Sequence, residues 1–81
     1  MTAPARPVPH LSPRELQIVC LAADGATDQQ IAHRLGISIH TVRDDWRRYI
    51  KPRLHAVDRT HAVALAVAAG LAHPVPKESA A

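Results

Sequence analysis

The sequence predicts an all-α fold, a compact bundle of four short helices, and three observations carry that reading. The apolar content is mostly Ala, Leu, Val and Ile, with a single Trp, a single Tyr and no Phe. Such a composition favours helix over sheet. Four cap-and-stop signatures divide the chain into helix-sized pieces. The links between those pieces are short. The 81 residues suffice for one small domain with a thin core.

The first helix starts at SPRE. Ser12 is an N-cap, Pro13 suits the first helical position, and Glu15 stands three residues after the cap, as a capping box requires. Ile18, Val19, Leu21 and Ala22 supply its buried side, and Gly25 follows as a stop. Cys20 lies among these apolar neighbours and reads as a buried structural thiol. The second helix starts at TDQQ, with Thr27 as cap and Gln30 as its reciprocal partner; Ile31, Ala32 and Leu35 face inward, and Gly36 ends it. Only GIS separates it from the third helix, which Ser38 caps. Two helices joined by so short a Gly-containing turn read as a helix-turn-helix. Pro52 stops or kinks the third helix, so its expected span is 39–51. Asp58 caps the fourth helix and Gly70 stops it. The domain is then 11–72. The Pro-rich lead, 1–10, and the tail, 73–81, fall outside it.

The third helix, IHTVRDDWRRYIK, has two chemically opposed sides. At about 100° per residue, Val42, Trp46, Tyr49 and Ile50 form one stripe and read as core. Arg43, Asp44, Arg47, Arg48 and Lys51 lie opposite. The two adjacent acids are not equivalent: Asp44 shares the arginine face, whereas Asp45 lies at the edge of the core stripe. A face holding Arg43, Arg47 and Arg48 fits a DNA major groove in shape and charge. The alternative is a solvated charged face in which Asp44 pairs with Arg47 or Arg48 at i,i+3 or i,i+4. The short turn before the helix favours DNA. Arg34, on the second helix, reads as a solvated charge able to meet a phosphate, and His40 as a surface residue near the DNA whose protonation at low pH would add affinity.

On the fourth helix, Ala62, Val63, Ala66 and Ala69 form the inner side, with Leu65 at its margin. His61, Ala64, Val67 and Ala68 form an outer side without formal charge. That face predicts a homodimer along this helix, presenting two third helices to an inverted repeat.

The ordered set LSPRE (11–15), Gly25, IA (31–32), LGIS (35–38), TV followed by Arg43, Ile50, Leu54, Arg59, AV (62–63) and GL (70–71) resembles the LuxR-type (GerE-like) DNA-binding domain of bacterial transcription regulators. TV followed by a basic residue also occurs in sigma-factor region 4, but DRTHAVALAVAAGL favours the LuxR type. The resemblance implies a third helix in the major groove and a dimer commonly formed through the fourth helix. It implies that Arg43, Asp44 and Arg47 meet bases and nearby phosphates, that Thr41 meets phosphate, and that Arg59 pairs with Glu15 or a nearby carbonyl. The chain departs from the family at Asp28, Gln29 and Gln30, where an Asn-Lys-Glu type sequence is usual. It departs again at Asp45, in place of a common histidine, and at Pro52.

The net charge is +3 and the pI near 9.8, as suits an anionic partner. A lone cysteine excludes an internal disulfide, and no signal peptide or long apolar run is present, so a cytoplasmic, nucleoid-associated protein is expected. His33, His40, His55 and His61 lack zinc-site spacing, no cofactor motif appears, and no nucleophile–base set points to an enzyme. Taking Met1 as the start leaves no room for a receiver or ligand-binding domain, which makes a stand-alone regulator the expectation. Two roles are open for Asp44. It can accept from the N4 amino group of cytosine and so specify sequence. Alternatively both acids limit non-specific DNA binding or reserve the surface for a protein partner. A protein-interaction module that keeps the fold and binds DNA weakly is the competing function.

Overall fold

The computed structural model describes residues 10–72, and these form four helices packed around one core. Helix α1 spans Pro13–Ala23 and α2 spans Asp28–Leu35. Helix α3 is a continuous helical run over 39–54, and α4 spans Arg59–Ala68. There is no strand among the described residues. The 1–9 part of the expected lead and the 73–81 tail lie outside the described residues.

Each start is made by the predicted cap. The Glu15 N–H donates to Ser12 Oγ at 3.2 Å while the Ser12 N–H donates to Glu15 Oε1 at 2.9 Å. Thr27 and Gln30 exchange the same pair of bonds. Ser38 Oγ accepts from the Thr41 N–H, and Asp58 Oδ1 from the His61 N–H. Each cap satisfies a backbone donor that has no partner inside its helix.

The four ends share one device. A residue in the left-handed region lets the next N–H reach back to a carbonyl five residues earlier: Ala26 to Leu21, Ile37 to Ala32, Ala56 to Lys51 and Leu71 to Ala66. The second of these makes the sharp turn between α2 and α3. Gly36 sits there at φ 67°, ψ 33°, a conformation that glycine adopts without steric cost. The third uses His55 at φ 55°, the one non-glycine residue with positive φ among those described.

Helix α3 departs from the sequence reading in two ways. It ends at Leu54 rather than at 51, so Pro52 does not stop it. Instead the turn over Trp46–Ile50 is widened to a π turn, in which the Lys51 N–H donates to the Trp46 carbonyl. Proline has no N–H, and its ring collides with the carbonyl four residues back. Here that carbonyl belongs to Arg48, inside the widened turn. The widening also breaks the 100° wheel. Tyr49, expected in the core stripe, is 40% exposed, and the Arg53 guanidinium lies over its ring at 5.4 Å from the centroid. The observed core stripe is Val42, Trp46, Ile50 and Leu54.

That stripe packs with Ile18 and Val19 of α1, Ile31 and Ala32 of α2, and Ala62 and Ala66 of α4. Leu11 and Ala72, just outside the first and last helices, are buried as well. Cys20, read as a buried thiol, is half-buried, with its Sγ 3.7 Å from the Leu71 carbonyl oxygen.

Replacing His55 by Gly removes the cost of a side chain in the left-handed region. The substitution is expected to stabilise the domain by about 0.5–1 kcal/mol, raising the thermal midpoint by several degrees. Circular-dichroism melting checks this; an unchanged or lower midpoint would show that His55 contributes more than its backbone costs.

Candidate nucleic-acid interface

The structure divides the residues of α3 between two tasks. Asp45 points into the protein and is 2% exposed. Its two oxygens accept from Arg14, Nε to Oδ2 at 2.8 Å and Nη2 to Oδ1 at 3.0 Å. This two-pronged bond joins the first turn of α1 to the middle of α3, and it meets the buried carboxylate's need for donors. Asp45 is thus an anchor inside the fold and belongs to no surface.

A second set of contacts holds the other side of α3. Trp46, 4% exposed, donates its Nε1–H to Asp28 Oδ1 at 3.1 Å. The same Asp28 oxygen is 2.7 Å from Arg59 Nη1. The Arg59 guanidinium lies over the Trp46 ring at 5.2 Å and donates through Nη2 to the Ala26 carbonyl at 2.6 Å. Asp28 therefore ties α2 to both α3 and α4. Of the two partners expected for Arg59, the carbonyl is the right one. Glu15 instead pairs with Arg53, near the end of α3. Its carboxylate is buried and already engaged in the Ser12 cap.

The opposite face of α3 is left to solvent. Arg43, Arg47 and Arg48 are exposed, Asp44 and Lys51 are partly exposed, and His40 and Arg34 are exposed nearby in the sequence order of the turn. Thr41 is partly exposed in the first turn, its hydroxyl 2.9 Å from that of Ser38. Asp44 is not a free carboxylate. Arg47 Nη2 donates to its Oδ1 at 2.7 Å, and Arg48 Nε lies 4.0 Å from Oδ2. Both pairs are well exposed, and each contributes a few tenths of a kcal/mol at most. Among the described residues Arg43 has no carboxylate within ion-pair reach. The face presents four cations against one carboxylate, on a helix fixed from behind.

On α4, Ala62 and Ala66 are buried, and Ala64, Val67 and Ala68 are exposed. His61 is half-buried, and its Nδ1 accepts from the Val57 N–H at 3.0 Å. It braces the loop before α4 rather than standing free on the outer side. Among the described residues no group of three or more His, Cys, Asp or Glu side chains is placed to hold a metal ion, and no helix is long and apolar enough to cross a membrane.

Sequence reasoning found the exposed arginines and the placement of Asp45 at the core edge. It did not find Arg14, Asp28 or Arg53 as its supports. Arg14 and Asp45 are 31 residues apart, and Arg53 and Glu15 38 apart. No local pattern links such pairs.

A capped helix set on a tight glycine turn, locked to its neighbours on one side and cationic on the other, defines a helix-turn-helix domain of the DNA-binding kind. Residues 9–66 match the GerE family, the luxR family of bacterial regulatory proteins, and the chain belongs to that family of DNA-binding transcription regulators. No curated protein sequence matches the chain.

Removing Arg14 leaves Asp45 buried without its partner. Arg14→Ala is expected to destabilise the domain by roughly 2–3 kcal/mol, less than the loss for a fully enclosed pair because Arg14 is half exposed. Urea denaturation of the two proteins measures the difference. A shift below about 0.5 kcal/mol would mean that water replaces Arg14 without cost.

Proposed function

We propose that this chain is a sequence-specific transcriptional regulator that inserts residues 39–51 of α3 into the major groove of double-stranded DNA. The observation that carries the reading is the exposed Arg43, Arg47 and Arg48 on a helix whose other side is held by Asp45, Trp46, Ile50 and Leu54. Fixed backing matters because base edges are read only by side chains presented at a constant depth and angle. Arg43 and Arg47 are assigned to guanine, each able to donate twice to O6 and N7. Arg48, Lys51, Thr41, His40 and Arg34 are assigned to the phosphate backbone, which positions the domain without specifying sequence. Asp44 sits among them as the one acid of the face. The half-site is G/C-containing.

The homodimer forms, on this reading, along the outer face of α4, with Ala64, Val67 and Ala68 in contact and His61 at the margin. Exposed small apolar side chains support it, because they let two helices approach closely. Two-fold symmetry then matches an inverted repeat with one recognition helix per half-site. The competing reading, a protein-interaction module with weak DNA binding, draws on Gln29, which stands where the resemblance implies a lysine able to meet phosphate.

Fluorescence anisotropy with a mixed-sequence G/C-rich duplex, titrated over salt, tests the first claim. Binding is expected to weaken as salt rises, with a log–log slope of about −0.9 for each phosphate contacted. On the preferred site Arg43→Ala is expected to cost about 1–3 kcal/mol. Absence of binding at low salt would transfer the surface to a protein partner. For the dimer, Val67→Glu is expected to yield a monomer by sedimentation equilibrium, with weaker binding to the inverted repeat. A Val67→Glu protein that still sediments as a dimer would remove α4 as the interface.

A further inference from the structure

An acid in the middle of a cationic recognition face opposes DNA unless it does something there. Its charge repels phosphate, and its pair with Arg47 is too exposed to add much stability. The geometry suggests what it does. Arg47 Nη2 donates to Asp44 Oδ1 at 2.7 Å, one turn back along the same exposed face. A guanidinium has five N–H donors in one rigid plane, and this bond uses one of them. The remaining Nη2 hydrogen and both Nη1 hydrogens stay available for an end-on approach to a base. Without Asp44, a side chain as long and exposed as Arg47 samples many rotamers.

We propose that Asp44 is a positioning residue for base recognition. It holds the Arg47 guanidinium so that its free donors meet O6 and N7 of a guanine, and it sets the preference at that position without touching a base itself. The inference rests on the DNA-binding reading above and deepens it. It is an alternative to the direct contact to cytosine that the sequence allows, and the experiment below separates the two. That contact needs an unengaged carboxylate oxygen aimed at the groove. Here Oδ1 already accepts from Arg47, whereas Oδ2 lies 4.0 Å from Arg48 Nε, beyond hydrogen-bond distance. The same carboxylate lowers attraction to phosphate in general, so the arrangement exchanges affinity for selectivity.

The experiment is selection from a randomised duplex library with the full chain, followed by sequencing. Wild type, Asp44→Ala, Asp44→Asn, Arg47→Ala and the double variant Asp44→Ala/Arg47→Ala are compared. All of these positions are at least partly exposed, and unchanged thermal midpoints confirm folding. Wild type is expected to prefer guanine at one position through Arg47, and Arg47→Ala to abolish that preference. Asp44→Ala is expected to reduce it about twofold, as the loss of an exposed pair worth a few tenths of a kcal/mol allows, while strengthening binding to unrelated DNA. Asp44→Asn keeps a neutral acceptor for Arg47 and is expected to retain part of the preference. In the double variant the loss of Asp44 adds nothing beyond the loss of Arg47. If Asp44→Ala relaxes a cytosine position even when Arg47 is already Ala, Asp44 contacts a base and the proposal is overturned. It is equally overturned if Asp44→Ala raises affinity for all sequences and leaves every preference intact. Failure of wild type itself to bind any duplex at low salt refutes the DNA-binding reading, and the proposal with it. The first two failures are told apart from the third by intact wild-type binding.

Discussion

At the centre of α3 a carboxylate that is almost wholly excluded from water is gripped at both oxygens by Arg14, and the orientation of the exposed face depends on that grip. A charge so placed must have donors, and an arginine from another helix supplies both at once. The bond has a direction. It tolerates little rotation of α3 about its own axis, because rotation pulls one oxygen or the other off the guanidinium plane. The buried aliphatic residues set the depth of α3 in the bundle, whereas Asp45 and Arg14 limit its roll. The roll decides whether Arg43 and Arg47 face outward together.

Asp28 does the same for the other flank. One oxygen receives both the Trp46 indole N–H and the Arg59 guanidinium, and the guanidinium caps the indole face. Helices α2, α3 and α4 meet at that point. Three arginines, Arg14, Arg53 and Arg59, are therefore spent inside the fold on Asp45, Glu15 and Asp28. They add to the formal charge of the chain but not to the charge of the recognition face. The modest net charge understates how unevenly cations are distributed: among the described residues, Arg43, Arg47, Arg48 and Lys51 gather on α3, and of the other cations outside these three pairs only Arg34 lies elsewhere, on α2.

The widened turn over Trp46–Ile50 reconciles Pro52 with a helix that must continue to Leu54. Leu54 is buried and helps to seat α3 against α4. A helix broken at Lys51 would lose that contact and the Arg53–Glu15 pair that follows it. One irregular turn keeps both, and in doing so it turns Tyr49 outward, where Arg53 covers its ring.

The capping residues Ser12, Thr27, Ser38 and Asp58, the stops at Gly25, Gly36 and Gly70, and the core residues Ile18, Val19, Ile31, Ala32, Val42 and Trp46 were legible in the chain. These are local signals: a cap acts within three residues, and a helical stripe repeats every three or four. The separation of Asp44 from Asp45 was legible for the same reason. The sequence by itself thus determined the four helices, the helix-turn-helix and the side of α3 that carries the arginines. Only the tertiary structure decided which carboxylate takes which arginine, because Arg14, Arg53 and Arg59 reach partners 30 or more residues away and any of them was chemically acceptable. Only it decided that Pro52 widens the helix instead of ending it. A proline forbids one hydrogen bond and one carbonyl position, and whether the chain stops or adjusts depends on what lies beyond. Here a buried Leu54 and a paired Arg53 make continuation the lower-energy course.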